Sequence, residues 1–338
     1  MTCVRRCPSA RWRAFLLLVF AVVTRQLSKE VFVDHVCAPS IFLHVITCCR
    51  ASSLERLLSS LSTAHYVGAE VAIDIHIDID WVEDSGLSSE VANVARHFAW
   101  SHGAKTVRKR VKKAGLAVSW FELSVPTERD YIIVLEDDME LSPHYYSFIR
   151  SLHCGGALQN DAFSALCLHP NDWQIGVKPE CESKMHSQVL YLTPEPCNWA
   201  PVWKTEEWEM YSTWLQAELY KGTQPYVSDK NNVSYNYNLY VDRGIDVQSP
   251  WVWRYNWETG KLQMRYSFTR CGVMTSDPYY AINHKEPGEH FKKKVNMKND
   301  PRLLTFSHED IENQLNKERK KILRPAAFAP DMLIPRRQ

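Results

Sequence analysis

Residues 131–140 read YIIVLEDDME, an apolar run that drives straight into Glu136, Asp137 and Asp138. The reading of this stretch decides the fold. Adjacent carboxylates repel one another, so an acidic run closing a buried strand needs a cation or a special environment. Working outward, the stretches on either side alternate between strand and helix patterns. SIFLHVITCCR (40–50) is apolar and β-rich, and ASSLERLLSSLSTA (51–64) follows it with Leu54, Leu57, Leu58 and Leu61 at helical spacing. EVAIDIHIDID (70–80) alternates strictly, with Val71, Ile73, Ile75, Ile77 and Ile79 on one side and Asp74, His76, Asp78 and Asp80 on the other. That pattern predicts a strand with one wet face, or a strand that ends in a site.

LSSEVANVARHFAWSHG (87–103) reads as a helix capped by Ser88 or Ser89, and SPHYYSFIRSLHC (142–154) as another, with Ser142 as cap and Pro143 in the first turn. Strand and helix in alternation predict a doubly wound α/β sheet. Ligands of such sheets bind beyond the carboxyl ends of the strands. Three strand ends then become candidates: TCCR (47–50), DIDW (78–81) and LEDDME (135–140). They supply an arginine, acids beside a tryptophan, and a triple acid. Mg2+ or Mn2+ takes hard oxygen ligands and commonly bridges phosphates, so a cation on the triple acid would answer the charge problem. A solvated acidic turn is the plainer alternative.

Beyond residue 155 the pattern loosens. LYLT (190–193) reads as a short strand, a helix is expected from about Lys204, DKNNVSYNYN (229–238) as a polar loop, and KLQMRYSFTRCG (261–272) as a late strand. Twelve tryptophans and fifteen tyrosines are many for 338 residues, and their default reading is core. The formal net charge of +1 gives no basic field, so nucleic acid is not an expected partner. The amino terminus places Arg5, Arg6, Arg11 and Arg13 before AFLLLVFAVV (14–23). A basic head and a ten-residue apolar run suit a secretory signal peptide or a short signal anchor over residues 1–30; a buried helix is the bland alternative. The ten cysteines agree with an oxidising compartment, and Asn232 in NVS is a glycosylation sequon. Membrane association is expected only through residues 1–30, and residues 321–338 form a basic tail.

VITCCRASSLERLLSSL, VARHFAWSHG and YIIVLEDDMELSPHYYSFI together resemble the nucleotide-sugar glycosyltransferases of the GT-A fold, and among them the N-acetylglucosaminyltransferase I family. PCNWAPVWKTEEWEMY, QMRYSFTR and GEHF resemble later landmarks of that family. The resemblance implies a GT-A (Rossmann-like) α/β domain over residues 31–320, with a mixed, mostly parallel sheet flanked by helices. Residues 31–150 would bind the nucleotide sugar and residues 151–320 the acceptor. It implies an inverting, metal-dependent transfer from a UDP-sugar, UDP-GlcNAc among the choices, to a glycan or glycoprotein acceptor in the Golgi or ER lumen. Residue by residue, Asp138 resembles the carboxylate that binds Mn2+ (or Mg2+), with Asp137 beside it. Glu136 and Asp137 would orient the donor or metal-bound waters, and Arg50 would neutralise the diphosphate. Asp78 or, by preference, Asp80 would accept from the uracil imide. Trp199 and Trp203 would offer apolar area to a sugar, and His290 resembles a late histidine near the phosphates. The chain departs from the family at DVQSPWVW (246–253), where the aligned acids are Ser249 and Pro250. The base then falls to Asp246, with Asp242 and Glu207 (or its neighbour Glu206) as fallbacks; Glu207 reads as a solvated helix acid. A catalytically inactive glycan-binding or scaffold domain and a nucleotidyltransferase are the competing classes. The second would want an early glycine-rich phosphate loop, which the sequence lacks.

Overall fold

The computed structural model describes residues 37–79, 86–126, 128–141, 143–168, 189–227 and 233–267. Residues 1–30 and 321–338, and the calls on Asp80, Asn232 and His290, lie outside the described residues. From Pro39 onward the described chain builds one sheet with helices on both faces. Its strands are β1 (Ile41–Thr47), β2 (Val71–Ile77), β3 (Lys105–Lys109), β4 (Tyr131–Glu136), β5 (Phe163–Cys167), β6 (Val189–Thr193), β7 (Pro201–Lys204) and β8 (Leu262–Ser267). Their spatial order is β3-β2-β1-β4-β7-β5-β8-β6. β3, β2, β1 and β4 run parallel, as do β5 and β8. β7 joins β4 and β5 antiparallel, and β6 joins β8 antiparallel. The sheet is therefore mixed and mostly parallel, the class expected from the strand-helix alternation.

Seven α-helices are described: α1 (Ala51–Ser62), α2 (Leu87–His97), α3 (Leu116–Phe121), α4 (Tyr145–Cys154), α5 (Thr205–Tyr220), α6 (Val233–Asp242) and α7 (Ser249–Thr259). Side chains alternate across a strand, so each strand supplies both faces. On one face Ile41, Leu43, Val45, Ile73, Ile75, Ile133 and Leu135 meet the apolar stripes of α1, α2 and α4. The four α1 leucines named above are all buried there, each contributing about 1.5–3 kcal/mol of transfer free energy. On the other face Ile46, Ile132 and Val134 meet Trp120 of α3, Trp208, Tyr211 and Leu215 of α5, and Trp251 and Tyr255 of α7. Trp203 of β7 stacks on Tyr211 with ring centroids 5.3 Å apart. Much of the aromatic excess is thus core, its default reading. A disulfide joins Cys167 at the end of β5 to Cys197.

Several local expectations need correction. β2 has no wet face: Asp74 and Asp78 are buried and His76 nearly so, because His44 of β1 lies against His76, Arg108 of β3 reaches over Asp74, and the amides of Ala114 and Gly115 close on Asp78. The second helix starts after Gly86, in the left-handed region, rather than at a serine cap, and it ends at His97 where Phe98 turns extended. Gly103 then lets the chain pass β2 closely, since a Cβ there would lie 2.5 Å from the Val71 carbonyl oxygen. α4 begins at Tyr145, after His144 rather than at Pro143. Val233–Asp242 is helical where a polar loop was expected. No helix among the described residues is long and apolar enough to cross a membrane.

Candidate active site

The strand order fixes where the chemistry falls. β1 lies between β2 and β4, and the chain winds to opposite sides of it, so the β1/β4 junction is a topological switch point. There Ile46 sits opposite Glu136, and Thr47 opposite Ile77. The Asp137 amide donates to the Ile46 carbonyl (3.1 Å) and the Asp78 amide to the Thr47 carbonyl (2.9 Å). The three strand ends singled out in the sequence are therefore neighbours.

Arg50, at the residue before α1, carries its guanidinium into this junction. It pairs with Asp137 and, at 3.0 Å, with Asp138. Thr47 Oγ1 donates to the other Asp137 oxygen at 2.6 Å. Glu136 points to the opposite face, where Trp120 Nε1 donates to it at 3.3 Å. Burial pushes the Glu136 carboxyl up to about 8, and the Asp138 charge pushes the same way. Asp138 is also raised by burial, against the pull of Arg50. Burial works against the Arg50 charge, but Asp137 and then Asp138 more than offset it and hold that pKa above its ordinary value. Two aspartates share one guanidinium, an arrangement short of positive charge.

Asp78 is placed at the same end but is fully engaged. Its two oxygens accept from the amides of Ile79, Ala114 and Gly115, at 2.8 to 3.3 Å. Gly115 adopts φ +81°, which turns the chain into α3. Asp78 therefore anchors the start of α3. Trp203 is buried core, while Trp199 is half-buried against the aliphatic cluster. Glu207 is not a solvated acid: it is 2% exposed and pairs with Lys261. Asp242 ends α6 and is exposed, as is Asp246. Ser249, where the resembled family carries an acid, is buried at the start of α7 and donates to Asn198 Oδ1 at 2.7 Å.

Sequence reasoning passed over one cluster on the α3 side of β1 and β2. His44 is wholly buried, and its Nδ1 lies 3.0 Å from His76 Nε2. His44 Nε2 contacts the Ser124 carbonyl at 3.0 Å, so that nitrogen must carry the proton. Asp74 Oδ2 is 3.4 Å from His76 Nε2 and accepts from Arg108 Nε at 2.7 Å. Burial lowers the His44 pKa to about 3, helped by His76, and burial also lowers that of His76. The alternation of residues 70–80 held the signal, since it put Asp74 and His76 on one face; the partner on β1 needed the register.

No protein-family model and no curated protein matches the chain. Solved structures are similar to it at low level. The mannosyltransferase PcManGT from Pyrobaculum calidifontis, solved with GDP-Man and Mn2+, is 15% identical with a TM-score of 0.34, over 58% of this chain and 56% of that one. S. aureus TarS 1–349 is 10% identical with a TM-score of 0.30, over 48% of this chain and 47% of that one. Another structure of S. aureus TarS is 11% identical with a TM-score of 0.31, over 51% of this chain and 29% of that one. The chain thus matches little more than half the length of these structures at most. At these scores the fold assignment stands on the strand order and register above.

Proposed function

We propose that the protein is a metal-dependent GT-A glycosyltransferase that transfers a sugar from a UDP-sugar to a glycan or glycoprotein acceptor. One observation carries the reading: at the switch point between β1 and β4, Asp137 and Asp138 share the guanidinium of Arg50, with Glu136 beside them in the chain. Hard carboxylate oxygens in excess of positive charge fit a divalent ion. Asp138, with Asp137 beside it, would hold Mn2+ (or Mg2+), which when bound withdraws charge from the departing UDP oxygens. Arg50 is placed to exchange part of its hold on the aspartates for a diphosphate oxygen, a match for its forked donors. Glu136 would orient the donor or metal-bound waters from the Trp120 side of the junction. Thr47 and Trp120 hold Asp137 and Glu136 in place.

The base that accepts the acceptor's hydroxyl proton is assigned to Asp246. It is exposed, whereas Glu207 is locked to Lys261 in the core and Asp242 lies further from the aligned segment. His290 and Asp80 remain assigned to the donor side by the resemblance alone. The Cys167–Cys197 disulfide supports an oxidising compartment, and with the basic-apolar amino terminus it favours the Golgi or ER lumen. A second reading, an inactive glycan-binding domain, has one observation in its favour: Ser249 is buried and bonded to Asn198 where the family carries an acid.

Incubating the purified chain with a panel of UDP-sugars and Mn2+ separates these readings. UDP release that falls at least ~100-fold in Asp138→Ala supports the transferase, in line with the loss of one group stabilising transition-state charge. UDP binding without turnover supports the inactive domain, and no heat with UDP and Mn2+ sinks the transferase.

A further inference from the structure

We propose that His44, Asp74 and His76 form a second metal site, one that takes a zinc-class divalent ion and is distinct from the acidic strand end. It needs no part of the transferase reading. The ligand atoms come from two adjacent parallel strands whose register sets His44 opposite Asp74 and Ile46 opposite His76. One ligand atom from each of the three lies within 4.8 Å of the others. The Nδ1–Nε2 separation of 3.0 Å is close to the edge of a zinc tetrahedron, which is about 3.3 Å for bonds of about 2.0–2.1 Å, and the Asp74 carboxylate, whose Oδ2 is 3.4 Å from His76 Nε2, is within ligand range through its other oxygen.

The supporting groups are also those of a metal site. His44 donates its far nitrogen to the Ser124 carbonyl, which fixes the tautomer and leaves Nδ1 bare for an ion. Arg108 grips Asp74 Oδ2 from outside; its side chain is 61% exposed and so covers a way in from solvent. Two imidazoles and a carboxylate select Zn2+ or Co2+ over Mn2+, which favours all-oxygen shells. A plain hydrogen-bonded relay from Arg108 through Asp74 and His76 to His44 is the competing account. It leaves Asp74 Oδ1 buried with no hydrogen-bond partner, an expensive omission that a cation would remove.

The site would also matter to its neighbour. His44 reaches the loop after α3 through Ser124, and α3 carries the Trp120 that touches Glu136. An ion here would fasten β1, β2 and the α3 segment together.

The test uses the full chain, stripped with chelator. Zn2+ titration by calorimetry should give one equivalent that survives in Asp138→Asn and weakens at least ten-fold in His76→Gln and in Asp74→Asn. Co2+ should give the visible absorption of a four-coordinate site, again lost in His76→Gln, and Zn2+ should raise the Tm of the wild type but not of that variant. Should either variant fail to fold, the wild type and Asp138→Asn alone decide through the Co2+ spectrum, because an all-oxygen acidic site gives only the faint six-coordinate bands and a thiolate site would add a near-ultraviolet sulfur band that this site lacks. Absence of Zn2+ uptake, equal affinity in His76→Gln, or loss of the ion in Asp138→Asn would each overturn the proposal.

Discussion

The two faces of the sheet are built on different principles. The face under α1, α2 and α4 is largely aliphatic, with leucine, isoleucine and valine interlocked against the helices. The face under α3, α5 and α7 is aromatic toward β7 and polar toward β2, where His44, Asp74 and Asp78 are buried and Glu136 meets Trp120 of α3. Buried polar atoms without partners also gather on this second face: Asp74 Oδ1, Trp203 Nε1, Trp208 Nε1 and Tyr211 Oη. A face that leaves such atoms unsatisfied gives up stability, and function is the usual reason. One face is almost wholly apolar and the other mixes aromatic packing with buried polar groups.

That contrast breaks most visibly at the aromatic end. Trp208 is 1% exposed and touches Trp120, Trp203 and Tyr211. Trp208→Ala should cost about 3–5 kcal/mol in urea unfolding; a loss under about 1 kcal/mol would mean the aromatic face is not core. The next effect is covalent. The Cys167–Cys197 link closes a loop of sequence separation 30, and the Cys167→Ser/Cys197→Ser double variant should lose roughly 3–4 kcal/mol. Equal unfolding midpoints with and without reductant would refute it.

Third comes the charge pair that crosses the switch point. Arg50→Ala leaves Asp137 and Asp138 buried together with no guanidinium, which should cost about 2–3 kcal/mol, short of the full ~3–5 because Arg50 is 19% exposed. Adding Asp138→Asn to Arg50→Ala should recover about half of that loss. A double variant no better than the single one would show that the arginine acts through packing instead.

The aliphatic face was the legible one. The leucines of α1 and the alternating isoleucines of β2 define their own partners, since periodicity and burial say the same thing there. The acidic end of β4 and the arginine after β1 were also readable, because strand ends on one side of a parallel sheet must be neighbours. Readings failed where tertiary cover overrode local pattern. The alternation of Asp74, His76 and Asp78 looks solvated in one dimension, yet His44, Arg108 and the amides of Ala114 and Gly115 close over it from other elements. Glu207 looks like a surface acid until Lys261, 54 residues on, arrives beside it. Ion pairs and covers of that range have no signature in a local window.

The smallest expected effect sharpens the comparison at its border, where Glu136 leaves the acidic end and enters the aromatic face. The folded protein keeps a proton on Glu136 up to about pH 8, whereas the ordinary carboxyl value is 4.5. Between these values the folded state binds more protons than the unfolded chain, so this group makes stability fall as pH rises, by up to about 1.4 kcal/mol per unit. Asp138, raised in the same direction, is present in both proteins and largely cancels in the difference. Glu136→Gln keeps the shape and can still accept from Trp120, but it cannot ionise. In metal-free buffer the two proteins should have equal stability near pH 4.5, and the glutamine variant should pull ahead by about 1–2 kcal/mol at pH 8, discounted for the partial exposure of the group. Parallel stability curves from pH 4.5 to 8 would mean that Glu136 is as well solvated as Asp246, and the border between the two faces would then have to be drawn before residue 136.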